Sequence, residues 1–168
     1  AAKLNPLPEY QWALADALNI TGNRDRAAEV ESQITAQATE DARTLSLYLA
    51  TRKQDLEGAV QLAEQELANR KDVFTYDALA WALAVAGRSA EALPHITQAL
   101  AQGTVDPRLY FHAGVIAALN DDNKQAMRWL AKAEPAKQML LPSEQVLLGD
   151  WRKKLRRKTL QSSSRSKN

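Results

Sequence analysis

The sequence predicts an all-helical protein built from stacked pairs of antiparallel helices. Three observations support this fold class. Alanine is frequent along the 168 residues, whereas strand-forming residues never alternate over a useful run. Related positions recur at intervals of 32 to 34 residues, which indicates an internal repeat. Apolar residues make up 45% and charged residues 25% of the chain, which is typical of a folded protein and not of a disordered one.

Three sets of positions define the repeat. The first is a set of alanines in the second helix of each pair: Ala27, Ala59, Ala92 and Ala126. Five residues before each alanine stands a predicted turn residue: Gly22, Gln54, Gly87 and Asp121. Twelve residues before each alanine stands a residue that is small in three of the four units: Ala15, Leu47, Ala80 and Gly114. Small residues on both helices let the pair approach closely, and a glycine between them accepts the left-handed conformation that ends a helix.

These positions divide residues 1–142 into a repeat array with four units, at about 8–40, 41–71, 72–105 and 106–134. The predicted helices lie at about 8–20, 24–38, 41–53, 56–70, 74–86, 89–102, 107–119 and 123–133. Asp106 and Pro107 form a predicted cap and first-turn pair for the seventh helix. A ninth helix is predicted at 143–158, with Ser143 as its cap and Glu144 in its first turn, followed by a flexible, basic and serine-rich tail at 159–168.

The third unit, Tyr76 to Leu83 followed by Gly87 and Ala92, resembles the tetratricopeptide repeat, and the fourth unit is the next nearest match. The second unit departs from that pattern. The resemblance covers about residues 8–134, and the chain also looks like the alanine-rich arrays common in bacterial proteins. It implies a right-handed superhelix, an α-α solenoid of about four helix pairs, completed by a C-terminal capping helix.

The resemblance also implies a protein- or peptide-binding scaffold, because the first helices of such pairs line a concave groove. The partner-binding positions carried over to this sequence are Trp12, Tyr48, Phe74, Asp77, Trp81, Arg108, Phe111 and His112. Trp81 is displaced from the face that Leu79 and Leu83 bury, so it is a candidate anchor for a hydrophobic or aromatic-bearing segment of a partner. The alternative is that the next helix pair or the C-terminal helix covers each aromatic side chain.

Nothing in the sequence predicts an enzyme, a cofactor or a metal site. The two histidines, His95 and His112, stand in different repeats, and there is no cysteine. No nucleotide-binding, zinc-protease or serine-hydrolase motif occurs. The run Asp121-Asp122-Asn123 lacks the glycine and terminal glutamate of a calcium loop, so a solvated turn is the preferred interpretation.

The C-terminal segment combines an apolar face with a basic cluster. Its apolar residues, at roughly helical spacing, are Leu141, Val146, Leu147, Trp151 and Leu155, and they predict a helix that covers the last repeat. The basic cluster is Lys153, Lys154, Arg156, Arg157 and Lys158. Residues 150–168 carry a net charge of +7, against −5 for residues 1–149.

Several partners remain open at this point. The basic cluster is either a solvated tail or an electrostatic contact with an acidic protein, a membrane surface or a nucleic acid, the last being disfavoured because no aromatic residue is interleaved to stack on bases. A structural or self-assembly module of a larger protein is the other alternative to a binding scaffold. No stretch is apolar enough to span a bilayer, and no signal segment is visible. The chain starts without methionine, which suggests a cut or processed N-terminus, and its compartment is undetermined.

Overall fold

The computed structural model describes residues 7–36 and 41–165, and within these ranges the chain is helical without any strand. The nine α-helices are α1 (Pro8–Ile20), α2 (Arg24–Ala36), α3 (Ala42–Arg52), α4 (Leu56–Asn69), α5 (Val73–Val85), α6 (Ser89–Ala101), α7 (Pro107–Leu119), α8 (Asn123–Ala133) and α9 (Pro142–Arg165). A 3-10 helix, Glu134–Met139, joins α8 to α9. The helices agree closely with the predicted ones, except that α9 ends at Arg165 and not at residue 158.

Consecutive helices pack as hairpins, α1 with α2, α3 with α4, α5 with α6 and α7 with α8. The odd-numbered helices also contact one another in order, and α4 and α6 pack on the odd-numbered helix that follows each of them. The odd-numbered helices therefore form a shared inner layer. Helix α9 contacts α1, α7 and α8, so it bridges the first and the last pair.

Aspartate side chains fix where several helices begin. Asp41, Asp72 and Asp122 each accept a hydrogen bond from a backbone N–H in the first turn of the helix that follows. The predicted cap at Asp106 is confirmed, since its Oδ1 accepts from the backbone N–H groups of Arg108 and Leu109 at 2.8 and 3.0 Å. These bonds satisfy donors that a helix N-terminus otherwise leaves unpaired.

The turns between paired helices use the left-handed backbone conformation in all four units. Three of the four predicted turn residues adopt it, with φ of 80° at Gly22, 84° at Gly87 and 61° at Asp121. In the second unit Gln54 lies in the turn between α3 and α4, as predicted, but the left-handed conformation is taken by its neighbour Lys53, with φ of 55°. A non-glycine residue adopts this conformation at some energetic cost, so the backbone at Lys53 is strained.

The repeat positions are the contact points of the helix pairs, as predicted. Ala27 and three equivalent alanines are at most 1% exposed. In the fourth unit Gly114 of α7 lies against α8 so closely that a Cβ atom there would stand 2.5 Å from Leu130 Cδ2 and 3.1 Å from the Leu130 backbone nitrogen. Leu130 is itself buried, so it has little room to move away.

The same substitution at two glycines is expected to have opposite effects on stability. Gly114→Ala removes a flexible residue from a helix but forces Leu130 to shift, so we expect a net loss on the order of 1 kcal/mol in the free energy of unfolding. Gly149 lies inside α9, and a Cβ atom added there would have nothing within 4 Å, so Gly149→Ala should gain up to about 1 kcal/mol. Urea unfolding of the two variants checks this, and a stabilised Gly114→Ala protein would contradict the close contact.

Candidate protein-binding cleft

The inner layer brings the predicted groove residues together but buries most of them. Six are at most 5% exposed: Trp12, Tyr48, Asp77, Trp81, Phe111 and His112. Phe74 is 41% exposed, and the Arg108 side chain is 19% exposed. The expectation that these side chains are accessible anchors is therefore wrong for the six buried ones. The inner helices have neighbours on several sides, which cover the aromatic side chains in the way that the alternative interpretation anticipated.

Trp81 shows how this burial arises. Its indole stacks on the His112 ring, with centroids 4.1 Å apart, and it contacts Phe111 at 5.3 Å. Its Nε1 donates a hydrogen bond to Thr51 Oγ1 at 2.9 Å. Helix α5 contacts α3, α4, α6 and α7, so at Trp81 it has neighbours on several sides and the displacement of Trp81 from one apolar face does not expose it.

His112 and Asp77 form a buried polar pair beneath Trp81. His112 Nδ1 lies 3.0 and 2.9 Å from the two carboxylate oxygens of Asp77. His112 is fully buried, and its other ring nitrogen has no hydrogen-bond partner among the described residues. The pair therefore links α5 to α7 in the core, away from any surface that a ligand could reach.

The other three aromatic positions divide between core and surface. Trp12 of α1 packs edge-on against Tyr48 of α3, with ring centroids 5.5 Å apart, and so joins the first two units. Phe74 stays at the surface, where the guanidinium carbon of Arg43 lies 5.5 Å from its ring centroid. Phe74 is thus the exposed aromatic among the predicted groove residues.

Arg108 joins the first and the last α-helix of the described chain. Its Nη1 donates a hydrogen bond to Glu9 of α1 at 2.8 Å, and its Nε lies 2.8 Å from Glu144 Oε1 of α9. Glu144 is fully buried, and its other oxygen accepts the backbone N–H of Leu141. Burial opposes the charge of Arg108, but the carboxylates of Glu144 and Glu9 outweigh it and raise the pKa of the guanidinium above its usual range.

A second junction joins the start of α9 to α1. The prediction that Ser143 caps α9 is wrong, because the helix begins at Pro142 and the backbone N–H of Ser143 donates to Asp16 Oδ2 at 2.8 Å. Asp16 Oδ1 also pairs with Arg52 of α3 at 3.0 Å, and Arg52 pairs with Glu31 at 2.9 Å. A carboxylate from α1 therefore replaces the local cap and holds α9 on the inner layer.

The phenol of Tyr48 beside this junction gives a pH-dependent prediction. Burial, together with the negative charge of Glu31, raises the pKa of Tyr48 above its ordinary value. A raised pKa in the folded state contributes stability that is present below the pKa of the unfolded chain, about 10, and is lost as the pH rises through the folded value.

We therefore expect the free energy of unfolding to fall between about pH 8 and about pH 11, and to fall less in the Tyr48→Phe variant. Urea unfolding at the two pH values measures this difference. Equal losses in the two proteins would show that the Tyr48 hydroxyl does not contribute.

An open cleft remains where α9 crosses the C-terminal ends of the inner helices. One part, the Trp cavity, has a volume of about 160 Å³ and lies between Trp81 and Trp151. The remaining residues of its wall come from α3, α5, α7 and α9, with Lys53 just beyond α3: Ala50, Thr51, Lys53, Ala84, Val85, Val115, Leu119 and Leu147. Most of this wall is apolar.

The second part of the cleft, the Arg52 cavity, is more polar and measures about 270 Å³. It shares Thr51 and Leu147 with the Trp cavity, so the two lie side by side along α9. Its wall includes Asp16, Arg52 and Ser143, the residues of the junction between α1 and α9. We call the two cavities together the binding cleft.

A larger outer groove of about 690 Å³ lies between α6 and α8, with Ala113, Ile116 and Ala117 of α7 as its floor. The one aromatic side chain that lines it among the described residues is Trp129. This ring is already stacked on Tyr110, with centroids 5.5 Å apart, and the Lys132 ammonium lies 4.5 Å from its centroid. The outer groove is therefore lined by aliphatic and polar side chains with a single aromatic ring, whereas the Trp cavity has two.

The predicted basic residues of α9 lie on two sides of that helix. Lys153, Lys154, Arg157 and Lys158 share one exposed face, which we call the basic stripe. Arg156 lies instead beside Met127 and Leu130 of α8. The prediction of a flexible tail from residue 159 is wrong for residues 159–165, which continue α9, and the rest of that segment lies outside the described residues.

The apolar face of α9 differs in phase from the predicted one. Leu141 and Leu155 are buried as expected, but Val146 is 60% exposed, and Leu148, which was not predicted, is 1% exposed. The prediction also missed Thr51 and Lys53, which line the Trp cavity. The position of Lys53 at the turn was the available signal, since a residue that ends an inner helix lies at the edge of the inner layer.

Among the described residues, no group of three or more histidine, aspartate or glutamate side chains is placed to hold a metal ion. No helix in that part of the chain combines the length and apolar character needed to cross a bilayer. The sequence matches no protein-family model, no curated protein and no solved structure.

Proposed function

We propose that this chain is a protein- or peptide-binding scaffold without catalysis, and that its binding site is the cleft beside α9. Its helix pairs form a right-handed superhelix of the tetratricopeptide type, with α9 as the capping helix. The observation that supports this function best is the Trp cavity, which is open, apolar and walled by Trp81 and Trp151. Tryptophan is among the residues that dominate binding energy at protein interfaces.

The size of the Trp cavity matches one large apolar side chain. An apolar cavity of about 150 Å³ is known to accept benzene in a protein interior, and this one measures about 160 Å³. A leucine or phenylalanine side chain of a partner would fill it and cover the partly exposed indole of Trp151, while Trp81, which is 2% exposed, forms the buried inner wall. The burial of Trp12, Tyr48 and Phe111 supports this location, because those predicted anchors lie in the core and cannot meet a partner.

The polar chemistry of the chain supports binding over catalysis. The Asp77–His112 pair is the arrangement nearest to a catalytic one among the described residues, and both side chains are buried. Neither Trp81 nor Phe111, the rings beside His112, can act as a nucleophile. The pair is better explained as a structural contact between α5 and α7.

Selection from a library of random displayed peptides tests the proposal without knowledge of the partner. Two variants change the Trp cavity in opposite ways: Ala84→Leu fills it and Trp151→Ala removes one wall. Leu93→Ala is the matched control, because Leu93 is 40% exposed and lines the outer groove. Circular dichroism checks that each variant keeps its helicity.

We expect the selected peptides to share one large apolar residue, and to bind the wild type and Leu93→Ala alike. Both cavity variants should weaken binding by at least about tenfold, the loss expected when one buried anchor is removed. Peptides that bind Ala84→Leu and Trp151→Ala as well as the wild type would place the site elsewhere. Loss of binding in Leu93→Ala alone would assign it to the outer groove.

A further inference from the structure

We propose that the binding cleft takes an acidic segment of a partner protein that carries one large apolar side chain. The apolar side chain enters the Trp cavity, and neighbouring acidic side chains lie along the basic stripe of α9. This inference rests on the proposed function and adds the chemistry of the ligand. It treats the Trp cavity and the basic stripe as one binding surface, although the sequence predicts the aromatic residues and the basic cluster as separate features.

The Trp cavity and the basic stripe are continuous in space. Trp151 forms one wall of the cavity, and the Lys154 ammonium lies 4.3 Å from the centroid of its ring. Lys53 lines the cavity as well, and among the described residues it is the charged side chain in that wall. Asp55, two residues further on, caps α4 by accepting the backbone N–H of Gly58 at 3.1 Å. A side chain in the cavity therefore has cationic groups beside it.

The basic stripe extends this positive charge along the exposed part of α9. Lys154 and Lys158 are four residues apart, which is about 6 Å along a helix. Asp150 is the one carboxylate on this face of the described helix, against four cations. The existing partners of the stripe are exposed carboxylates, with Lys153 3.4 Å from Asp150 and Lys158 3.5 Å from Asp121. Such surface pairs are weak, so acidic groups of a partner can replace them.

The same geometry disfavours a bilayer and a nucleic acid as the ligand. An amphipathic helix enters a membrane through its apolar face, but Leu148 and Leu155 of α9 are buried against the rest of the chain. Single-stranded nucleic acid binds through bases that stack on exposed rings. The ring next to the stripe is Trp151, which is partly buried and has the Lys154 ammonium over it. An acidic protein segment with one apolar side chain needs neither an exposed apolar face on α9 nor an exposed ring beside the basic stripe.

Three synthetic peptides, each acetylated and amidated at its ends and labelled with a fluorophore, test this ligand chemistry by fluorescence anisotropy. The first has one phenylalanine, a glycine and four glutamates. The second replaces the glutamates with glutamine, and the third replaces the phenylalanine with glycine. Each is also made in the reverse order, because the direction of the segment along α9 is open.

We expect the first peptide, in one of its two orders, to bind at least about tenfold more tightly than the second and the third. Its affinity should fall as salt rises from about 50 to about 500 mM, because exposed charges are screened. Changing the whole basic stripe to glutamine should abolish its advantage over the second peptide. The control removes the same charge from four exposed cations elsewhere and should have little effect: Arg26, Lys71, Lys124 and Arg128.

Other outcomes overturn the inference in distinguishable ways. Equal binding of the first and second peptides would show that only the apolar anchor matters, which leaves the proposed function intact. Equal binding of the first and third peptides, unaffected by Ala84→Leu, would show a polyanion site on α9 that is independent of the cleft. Failure of all three up to about millimolar concentration would exclude this ligand class, and cleft-dependent peptides from the library would then still support the scaffold.

Discussion

Arg108→Met is expected to lower the free energy of unfolding by about 3–5 kcal/mol, because it leaves the buried carboxylate of Glu144 without its cation. Glu144 is fully buried, and Arg108 Nε is 2.8 Å from its Oε1. The same change also removes the hydrogen bond from Arg108 to Glu9 on α1. A single side chain therefore holds α1, α7 and α9 together, which explains the large expected loss.

Urea unfolding of three variants separates the buried charge from a general effect of losing an arginine. Arg108→Met/Glu144→Leu removes both charges and should recover a large part of the loss, because a buried ion pair can be replaced by packed apolar side chains. Arg88→Met breaks the exposed ion pair with Glu91, 2.7 Å apart, and should change stability little. If Arg108→Met and Arg88→Met behave alike, the junction does not hold α9 in place.

Trp81→Ala is expected to cost about 3–5 kcal/mol, the loss typical of truncating a buried tryptophan. The change removes the stack on His112, the contact with Phe111 and the hydrogen bond to Thr51. It also enlarges the Trp cavity from the core side. Trp81 is consequently unsuitable as a probe of binding, which is why the tests of the cleft use Ala84 and Trp151.

Phe74→Ala is the matched control for Trp81→Ala, because Phe74 is an aromatic residue of the same helix and is 41% exposed. Its loss should be less than about 1 kcal/mol, as for most surface substitutions. Thermal and urea unfolding of both variants measure the difference. A Trp81→Ala protein as stable as Phe74→Ala would contradict the burial of the indole in the core.

The sequence predicted the helices and their pairing because those features depend on local spacing. Ala27 and its equivalents recur at the contact point of each pair, and Gly87 marks a turn that favours glycine. The left-handed residue of the second turn, Lys53, could not be singled out, because neither Gln54 nor Lys53 is a residue type that favours a left-handed backbone. The second unit keeps the length of the turn although it lacks the glycine that usually marks it.

The environment of the inner helices was harder to predict, because it depends on how many neighbours each helix has. The displacement of Trp81 from Leu79 and Leu83 is real, yet α5 is surrounded and all three are buried. The prediction that Ser143 caps α9 was wrong for a related reason. Its N-terminal partner is Asp16, which lies 127 residues from Ser143 in the chain, and no local pattern indicates such a contact.

The rotation of α9 about its own axis could not be predicted from the sequence either. Val146 and Leu148 are both apolar, and spacing alone does not decide which of them faces the array. The structure buries Leu148 and exposes Val146, because α9 is fixed in rotation by the Glu144–Arg108 pair and by the packing of Leu155. The Trp cavity follows from that rotation, which is why Trp151 could be predicted as a packing residue but not as a wall of the cleft.

Indole N–H signals in a ¹H–¹⁵N NMR titration show whether a ligand enters the Trp cavity between Trp81 and Trp151. The chain has four tryptophans, each with one such signal, which single Trp→Phe variants assign. Addition of a library-selected peptide should shift the signals of Trp81 and Trp151 and leave Trp12, in the core, and Trp129, in the outer groove, unchanged. A shift confined to Trp129 would place the ligand in the outer groove between α6 and α8 and rule out the Trp cavity.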